Sequence, residues 1–529
     1  MTKIYLFETA VAIDAAGTME TIRWASGEGY NHPSAPGPYD RRLLQSASYR
    51  RDIFGAGRIG GGSDIGGGGV EVRNDDGALD ALIDAGWAGQ PFRVLVGDDR
   101  APYAAFVPLL SGIAEQPTPT RTQLAIRLRD REQLFAKPVC SSKFTGSNGG
   151  PLGVEGLATD IKGDRKPKVF GSVRNIAPKR VATMPIYQAN DGELADWPGF
   201  YAEGVPWERQ ANYASVADML ANPPAEGKYR ACLVGGYVRA GSEPVGTVTS
   251  DVVEGVTAAD RTGAQLTKRL ALASGAVSAE AIVAADIAAL DALQPAEMGI
   301  YVTDETSFAS ALDRLAETFG GWRGFDRLGQ FRLARLDAPS GPPVATFRLS
   351  EQRTTFALGE LPLLALEARP AAVPAWASRL AFDPNPNVIA TPGASVTDPE
   401  RIGWLRTAWR WASTEDAGVK QQHPGATELV FGDNFEQDAV GSRVVGPSTL
   451  FLSRTAAEAE NVRRLALFGR RQRFRATVAL DEDTATVVEL GRVVKICHPR
   501  YGLALGKLFR ATGMEYDARK GIAYLELWG

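Results

Sequence analysis

Short runs in which apolar and polar residues alternate dominate the first 139 positions of the chain. Leu124, Ile126 and Leu128 recur at every second position, which is the spacing of a strand with one buried face. The pattern predicts a mainly antiparallel sheet or barrel, interrupted by short helices near residues 78–85 and 130–136. The other strand-like runs lie at residues 3–11, 18–24, 70–73, 91–96 and 103–107.

The pattern changes after residue 139. Residues 140–191 are rich in glycine, proline and lysine, which favours loops with brief extended pieces over a packed core. We therefore expect a linker or docking segment there. A second glycine-rich stretch, residues 51–69, predicts a flexible loop that orders only against a neighbouring protein.

Residues 192–349 mix the strand period with the helix period. Alanine-rich stretches at 258–273 and 279–292 have high helix propensity, and a third helix is predicted at 307–319. One apolar stripe on this third helix consists of Phe308, Leu312, Leu315 and Phe319. Strands are predicted at 229–238 and 246–253, and a hairpin at 325–331.

The last part of the chain ends in predicted sheet. Thr455 and Glu458 have the spacing of a helix capping box, and Gly469 offers a stop for the helix between them. Strands are then predicted at 473–480, 488–497, 505–516 and 522–528.

These patterns predict a multidomain α+β protein that is predominantly β. The expected parts are an N-terminal β-rich domain at 1–139, the linker or docking segment at 140–191, an α+β middle domain at 192–349, and a C-terminal β-rich domain with one capped helix at 350–529. A chain of 529 residues also exceeds the usual size of one domain, so three or four domains are expected.

The composition is that of an ordinary soluble globular protein. Apolar residues make up 44% and charged residues 23%, and the net charge of −4 gives no overall attraction to nucleic acid. The three cysteines are isolated, which argues against a disulfide framework and for synthesis in a reducing cytoplasm. Neither a secretory signal nor a membrane-spanning run is predicted.

One string resembles a nucleotide-binding motif. Gly55, Gly57 and Gly60 match G-x-G-x-x-G, and Asp75 and Asp76 lie near the offset of a ribose contact. That chemistry requires a helix directly after the glycines, but more glycines follow instead. We interpret the string as a glycine-rich loop.

Other candidate sites for chemistry are equally weak. Cys497 and His498 are adjacent, so in a strand they would point to opposite faces and would not share a metal ion. Ser63 lies in a string one residue too long for the serine-hydrolase elbow. The only histidines, His32, His423 and His498, lie in stretches near proline that predict loops. We expect no catalytic residue, no metal and no cofactor, and the chain is not expected to be an enzyme.

Two clusters of larger side chains have a functional and a structural interpretation. Arg470, Arg471, Arg473 and Arg475 could contact phosphates, but the last two alternate with uncharged residues, which favours a solvated or subunit-facing strand surface. The second cluster could form a sugar platform, although core or interface packing is the preferred interpretation. It consists of Trp404, Trp409 and Trp411 beside Arg406 and Arg410.

Five phrases of the sequence resemble tail proteins of siphophages that infect Gram-negative bacteria. The phrases are GVEVRNDDG at 69–77, KVFGSVRN at 168–175, GIYV at 299–302, GFDRLGQF at 324–331 and HPRYGL at 498–503. The resemblance spans most of the chain. None of the phrases is a catalytic signature, so they indicate a family more than a particular role.

Within that family, the size and the β–α–β order resemble the baseplate hub, also called the tail hub. The resemblance implies a homotrimer with two tail-tube-like β-barrel domains in each subunit, located at the virion tail tip. It also implies that the hub adapts the symmetry of the tail tube, lines the channel for DNA without sequence-specific binding, and contacts the distal tail protein, the tape measure protein and tip or fibre proteins. The alternatives are a peripheral receptor- or carbohydrate-binding tail protein and a cell-wall hydrolase.

Overall fold

The structure, a computed structural model, confirms a predominantly β multidomain fold with α-helices in its middle and C-terminal parts. The description covers residues 2–45, 49–53, 60–66, 68–129, 131–148, 154–349, 360–370, 374–432, 442–469, 472–480, 487–517 and 520–529. Within these residues, no helix combines the length and the apolar character that a membrane span requires.

Nine of the N-terminal strands form one sheet that curves into a nearly closed barrel. The order in the sheet is β3-β2-β1-β9-β10-β12-β8-β4, and the two end strands are joined by the single residue Arg42. Its strands are β1 (Lys3–Ala12), β2 (Met19–Ala25), β3 (Asp40–Arg41), β4 (Leu43–Gln45), β8 (Gly69–Arg73), β9 (Pro91–Asp98), β10 (Val107–Ala114), β11 (Thr118–Pro119), which pairs with β12, and β12 (Gln123–Arg129). We call this nine-stranded sheet the N-barrel. Three more strands of this part of the chain, β5 (Tyr49–Asp52), β6 (Gly61–Gly62) and β7 (Asp64–Gly66), belong to other sheets.

Apolar and polar side chains alternate along the strands of the N-barrel, so that the apolar ones are buried. Leu124, Ile126 and Leu128 are buried, as their spacing predicts, while their neighbours along β12 are more exposed. Inside the barrel, the Trp24 ring stacks between Phe7 at 5.7 Å and Trp87 at 6.0 Å. Such large aromatic side chains bury the most apolar surface per residue and stabilise the barrel.

The middle of the chain contains two five-stranded sheets. Their orders are β17-β16-β21-β13-β22 and β14-β15-β20-β19-β18, and Val169, Trp197 and Tyr229 lie in the core they share. The strands are β13 (Lys168–Ile176), β14 (Lys179–Arg180), β15 (Ile186–Gln188), β16 (Asp196–Ala202), β17 (Val205–Pro206), β18 (Glu208–Arg209), β19 (Lys228–Cys232), β20 (Tyr237–Ala240), β21 (Val248–Val253) and β22 (Gly299–Val302). We call this pair of sheets the sandwich.

Residues 140–191 do not form loops throughout. They supply β13, which lies between two neighbours in its sheet, and the buried side chains of Phe144 and Ile161. The reason is that Val169 and Val173 fall on the buried face of a regular alternation, which outweighs the glycines and prolines around them. The boundaries of the four predicted domains stay a prediction.

A mixed α+β body lies between the sandwich and the C-terminal sheet. The predicted stripe on the third helix is confirmed, because its four apolar side chains are buried there. The helices of the middle part are α1 (Val216–Ala221), α2 (Gly263–Ala273), α3 (Ala284–Leu293) and α4 (Phe308–Thr318). The predicted hairpin is β23 (Gly321–Phe325) with β24 (Phe331–Arg335), followed by β25 (Ala345–Leu349).

The C-terminal part contains a second barrel, whose sheet is closed. Its ring order is β32-β25-β26-β31-β34-β33, and a pairing between β32 and β33 closes it. The elements are β26 (Glu360–Ala368), β27 (Ala375–Phe382), α5 (Pro399–Leu405), β28 (Arg410–Glu415), α6 (Ala417–Gln422), β29 (Thr427–Phe431), β30 (Ser442–Gly446), α7 (Arg454–Gly469), β31 (Arg473–Ala479), β32 (Val493–Cys497), β33 (Lys507–Asp517) and β34 (Ile522–Trp528). We call this ring the C-barrel.

A four-stranded sheet, β28-β27-β29-β30, is inserted between two strands of the C-barrel and packs on α7. The predicted cap of that helix is wrong by two residues. The helix begins at Arg454, and the Ser453 hydroxyl accepts from the Ala456 amide at 3.5 Å. Glu458 instead forms an ion pair with Arg454 at 3.7 Å.

The sandwich leaves no room for a side chain at Gly171 of β13. The φ of Gly171 is +82°, and an added Cβ would lie 2.2 Å from the Met298 carbonyl oxygen. Gly163 has a similar φ of +87° with no atom within 4 Å, so Gly163→Ala is a control for backbone strain alone. We expect Gly163→Ala to lower the free energy of unfolding by about 1–2 kcal/mol, because alanine is strained at a positive φ. Gly171→Ala should lower it by about 1–3 kcal/mol more, because its Cβ also clashes with the Met298 carbonyl.

Thermal unfolding of the two variants, followed by circular dichroism, checks this expectation. Gly171→Ala should melt several degrees below Gly163→Ala. Equal melting temperatures would mean that β13 and β22 are not packed as described.

Candidate assembly site: the junction of the two barrels

A hairpin from the N-terminal part of the chain completes the C-terminal sheet. β5 pairs antiparallel with the second half of β33, with Tyr49 opposite Tyr516, and β7 pairs with β5. The first half of β33 pairs with β32. The long strand β33 therefore closes the C-barrel and holds the N-terminal hairpin along one edge.

For the described residues between 51 and 69, this hairpin corrects the interpretation as a loop; residues 54–59 and 67 lie outside the described residues. The described residues 49–53 and 60–66 include three strands, and β6 pairs parallel with β23. The physical reason is that strand pairing uses backbone groups, so glycines can take part when a neighbouring edge is available. Gly324 leaves no room there, since an added Cβ would lie 1.9 Å from the Ser63 hydroxyl oxygen.

The apolar cores of the two barrels meet beneath the hairpin. Their buried side chains form one contiguous cluster, and the Tyr49 and Tyr516 rings lie 5.7 Å apart within it. Burial raises the pKa of Tyr49, because the charged phenolate would be poorly solvated there. The two barrels are thus in apolar contact, and β5, which follows the N-barrel strand β4 in the chain, pairs with β33 of the C-barrel.

Glu489, in the segment before β32, forms ion pairs with two arginines at this junction. One is Arg51 of β5, and the other is Arg327, whose Nε lies 3.2 Å from the carboxylate. Both arginine side chains are almost fully buried, at 2% and 7% exposure. The carboxylate therefore bridges the hairpin from the N-terminal part, the middle hairpin and the C-barrel.

Other donors of the two arginines bind backbone carbonyls, although Arg51 Nε is buried without a hydrogen-bond partner. Arg51 Nη2 donates to the Phe325 carbonyl at 2.6 Å. Arg327 Nη1 donates to the carbonyls of Pro108 at 2.6 Å and Leu109 at 3.0 Å, both in β10 of the N-barrel. Buried charges cost several kcal/mol each unless they are paired and hydrogen-bonded, so this network fixes one arrangement of the three parts.

The glycine string does not meet the requirements of a nucleotide site. Gly55 and Gly57 lie outside the described residues, and the described residues after Gly60 form strands β6, β7 and β8 instead of the required helix. Asp76 binds Arg42 through two hydrogen bonds of 3.0 and 2.8 Å. That contact lowers the pKa of Asp76 to about 2 and fixes a turn.

The three histidines lie in separate parts of the fold. His32 Nδ1 contacts the Ser34 hydroxyl at 2.8 Å within one turn, and the same hydroxyl accepts from the Tyr103 amide. His423 ends α6, and His498 accepts from a backbone amide two residues later. All three cysteines are buried. Within the described ranges, no three potential metal-ligating side chains lie together.

The described part of the arginine run lies on β31 of the C-barrel. Arg473 is exposed, whereas Arg475 lies 3.7 Å from Glu515 and 3.9 Å from Glu526. Arg470 and Arg471 lie outside the described residues. Because two carboxylates balance Arg475, it is poorly suited to bind phosphate.

The tryptophan cluster is part of a packed contact. The guanidinium groups of Arg401 and Arg410 lie 4.7 and 4.5 Å from the centre of the Trp404 ring. The Trp404 indole donates to Asp383 at 2.7 Å. Both sets of contacts compete with a sugar for the ring. Trp411 is 36% exposed.

Glu489→Gln tests the junction. The change leaves two buried guanidinium groups without a counter-charge, and we expect a loss of about 3–5 kcal/mol in the free energy of unfolding. Glu515→Gln is the matched control, because its ion pair with Arg475 is half exposed and should cost about 0–1 kcal/mol. Denaturant unfolding measures both, and hydrogen exchange should increase in β5 for Glu489→Gln. Equal stabilities would contradict the role given to Glu489.

No family model matches the chain, and no curated protein matches it. Three solved structures of tail proteins are similar across nearly the whole chain. A tail protein from Neisseria meningitidis MC58 has 10% identity and a TM-score of 0.40, with 99% of this chain and 96% of that chain covered. The prophage MuSo2 tail protein from Shewanella oneidensis has 9% identity and a TM-score of 0.38, with 99% and 98% covered. A prophage tail protein from Listeria monocytogenes EGD-e has 6% identity and a TM-score of 0.39, with 100% and 94% covered. These three structures are tail proteins, but their TM-scores below 0.5 and low identities do not indicate the function of this chain.

Proposed function

We propose that the chain is a structural protein of a bacteriophage tail and forms the tail hub at the distal end of the tail tube. The observation that carries the proposal is the fixed pairing of two barrels in one chain, joined by β5 and by Glu489. The sequence phrases that resemble siphophage tail proteins support the same assignment.

Ring symmetry explains why such a chain would carry two barrels. A closed ring needs contacts between different faces of its units. A chain with two barrels makes one of these contacts internally and leaves the other to a neighbouring copy. Three copies would then present six barrels, which suits a threefold tip that meets a sixfold tube. The distal tail protein, the tape measure protein and tip or fibre proteins are the proposed neighbours.

In this ring, the barrels surround the channel through which DNA passes. Tight phosphate binding in such a channel would slow ejection, so its wall should avoid unpaired arginines. Arg475, which two carboxylates balance, is compatible with a subunit contact or an outer surface. The proposed role is structural, with no catalytic step.

The alternative functions require features that a hub does not need. A peripheral carbohydrate-binding protein needs an open aromatic platform, and the Trp404 ring is already in contact with two guanidinium groups. A cell-wall hydrolase would digest peptidoglycan by itself. Incubation of the purified chain with peptidoglycan separates that alternative from a hub, for which we expect no release of fragments.

Native mass spectrometry tests the proposed stoichiometry. We expect the purified chain to form a species with three times the mass of one copy, because each copy supplies two of the six barrels. A stable hexamer would contradict the two-barrel arrangement, and a monomer at every soluble concentration would contradict self-assembly of the ring.

A further inference from the structure

A crevice with two connected lobes separates the sandwich from the C-terminal insertion. The lobes have volumes of about 560 and 250 Å³ and share Ser172, Val173 and Arg174 of β13. It is remote in sequence from the strands of the barrel junction. A ligand in this crevice would therefore bind away from the strands that join the two barrels.

The smaller lobe is mainly apolar, although Arg174 and Arg314 also line it. Its walls include Val173, Ile176 and Ile300 from the sandwich, and Pro384, Pro386 and Leu452 from the facing segments. Apolar pockets of this kind take up aliphatic or aromatic groups, because such groups gain free energy when they leave water. The lobe has room for one or two side chains.

The larger lobe has two acidic groups at its mouth, Asp398 and Glu400, and both are exposed. Among the described residues, the Glu400 carboxylate has no hydrogen-bond or ion-pair partner. Asp398 uses one oxygen to accept from the Glu400 amide at 3.0 Å. A cationic group could approach both carboxylates.

The two arginines of the larger lobe contact other side chains. Arg174 forms an ion pair with Asp383 at 3.3 Å. Arg401 lies over the rings of Tyr201, at 4.8 Å, and Trp404, at 4.7 Å. Arg401 keeps its positive charge over these rings, but the acids Asp251, Asp398 and Glu400 that line the lobe outnumber its two arginines. The lobe therefore has a net negative charge, which favours a basic ligand over an acidic one.

The walls of the crevice are held in place by amide contacts. The Asn175 side chain donates to Asn385 Oδ1 and to the Asn387 carbonyl, each at 2.7 Å. Asn387 donates back to the Asn175 carbonyl at 2.7 Å. A cleft with fixed walls loses little entropy when a ligand binds, so it suits a docking site.

We propose that this crevice docks an extended segment of a partner protein that carries a basic side chain and, two residues away, an apolar one. In an extended chain, residues i and i+2 point to the same side, so one segment can fill both lobes. The basic group lies against Asp398 and Glu400, and the apolar group lies between Ile300 and Leu452.

Short peptides labelled with fluorescein test the proposal by fluorescence anisotropy on the full chain. The probes are nine-residue peptides that share a Ser/Thr background and differ at two central positions: Lys with Leu, Glu with Leu, and Lys with Ser. We expect the Lys and Leu peptide to bind at least tenfold more tightly than either of the others, and more weakly as salt increases. Equal binding of all three peptides, or no binding, would overturn the proposal.

A charge reversal locates the site. Glu400→Lys should weaken binding of the Lys and Leu peptide at least fivefold and should strengthen binding of the Glu and Leu peptide. Glu226→Lys is the control, because Glu226 is an exposed acid in a distant turn of the sandwich and should change neither affinity. Leu452→Lys should weaken both Leu-containing peptides. If Glu400→Lys and Glu226→Lys act alike, the crevice is not the binding site; this outcome leaves the ring proposal untouched.

Discussion

The pairing of Arg51 and Arg327 with Glu489 is the interaction on which the arrangement of the whole chain depends. Each arginine is buried, and its charge would be costly without the carboxylate. Arg51 Nη2 also donates to a carbonyl of the middle hairpin, and Arg327 Nη1 to carbonyls of the N-barrel. Apolar packing alone is non-directional and would allow the barrels to slide. The charged network, together with the pairing of β5 with β33, permits one register.

This fixed register links the fold to assembly. A ring subunit has to present its two barrels at one angle, because any variation would prevent closure. The hairpin β5–β7 pairs with the second half of β33, so this part of the C-terminal sheet depends on the N-terminal part of the chain. The sandwich and the inserted sheet lie away from this junction in sequence and form a crevice that is free to serve another partner.

The sequence predicts local order well and distant contacts poorly. The alternation in β12 and the apolar stripe of α4 are local, and both elements are confirmed. β5 and β7 could not be predicted, because their partners become available only after the chain has folded back. Glu489 and Arg51 are 438 positions apart, and neither lies in a distinctive motif. The crevice could not be predicted either, because β13 and Glu400 come together only in the folded chain.

Electron cryo-microscopy of the assembled tail is the most direct test of the central claim. The account predicts three copies at the tail tip, with N-barrels and C-barrels alternating around an axial channel and the Arg51, Glu489 and Arg327 contact intact within each copy. A peripheral position of the chain would contradict it. So would a ring in which only one barrel of each copy faces the channel.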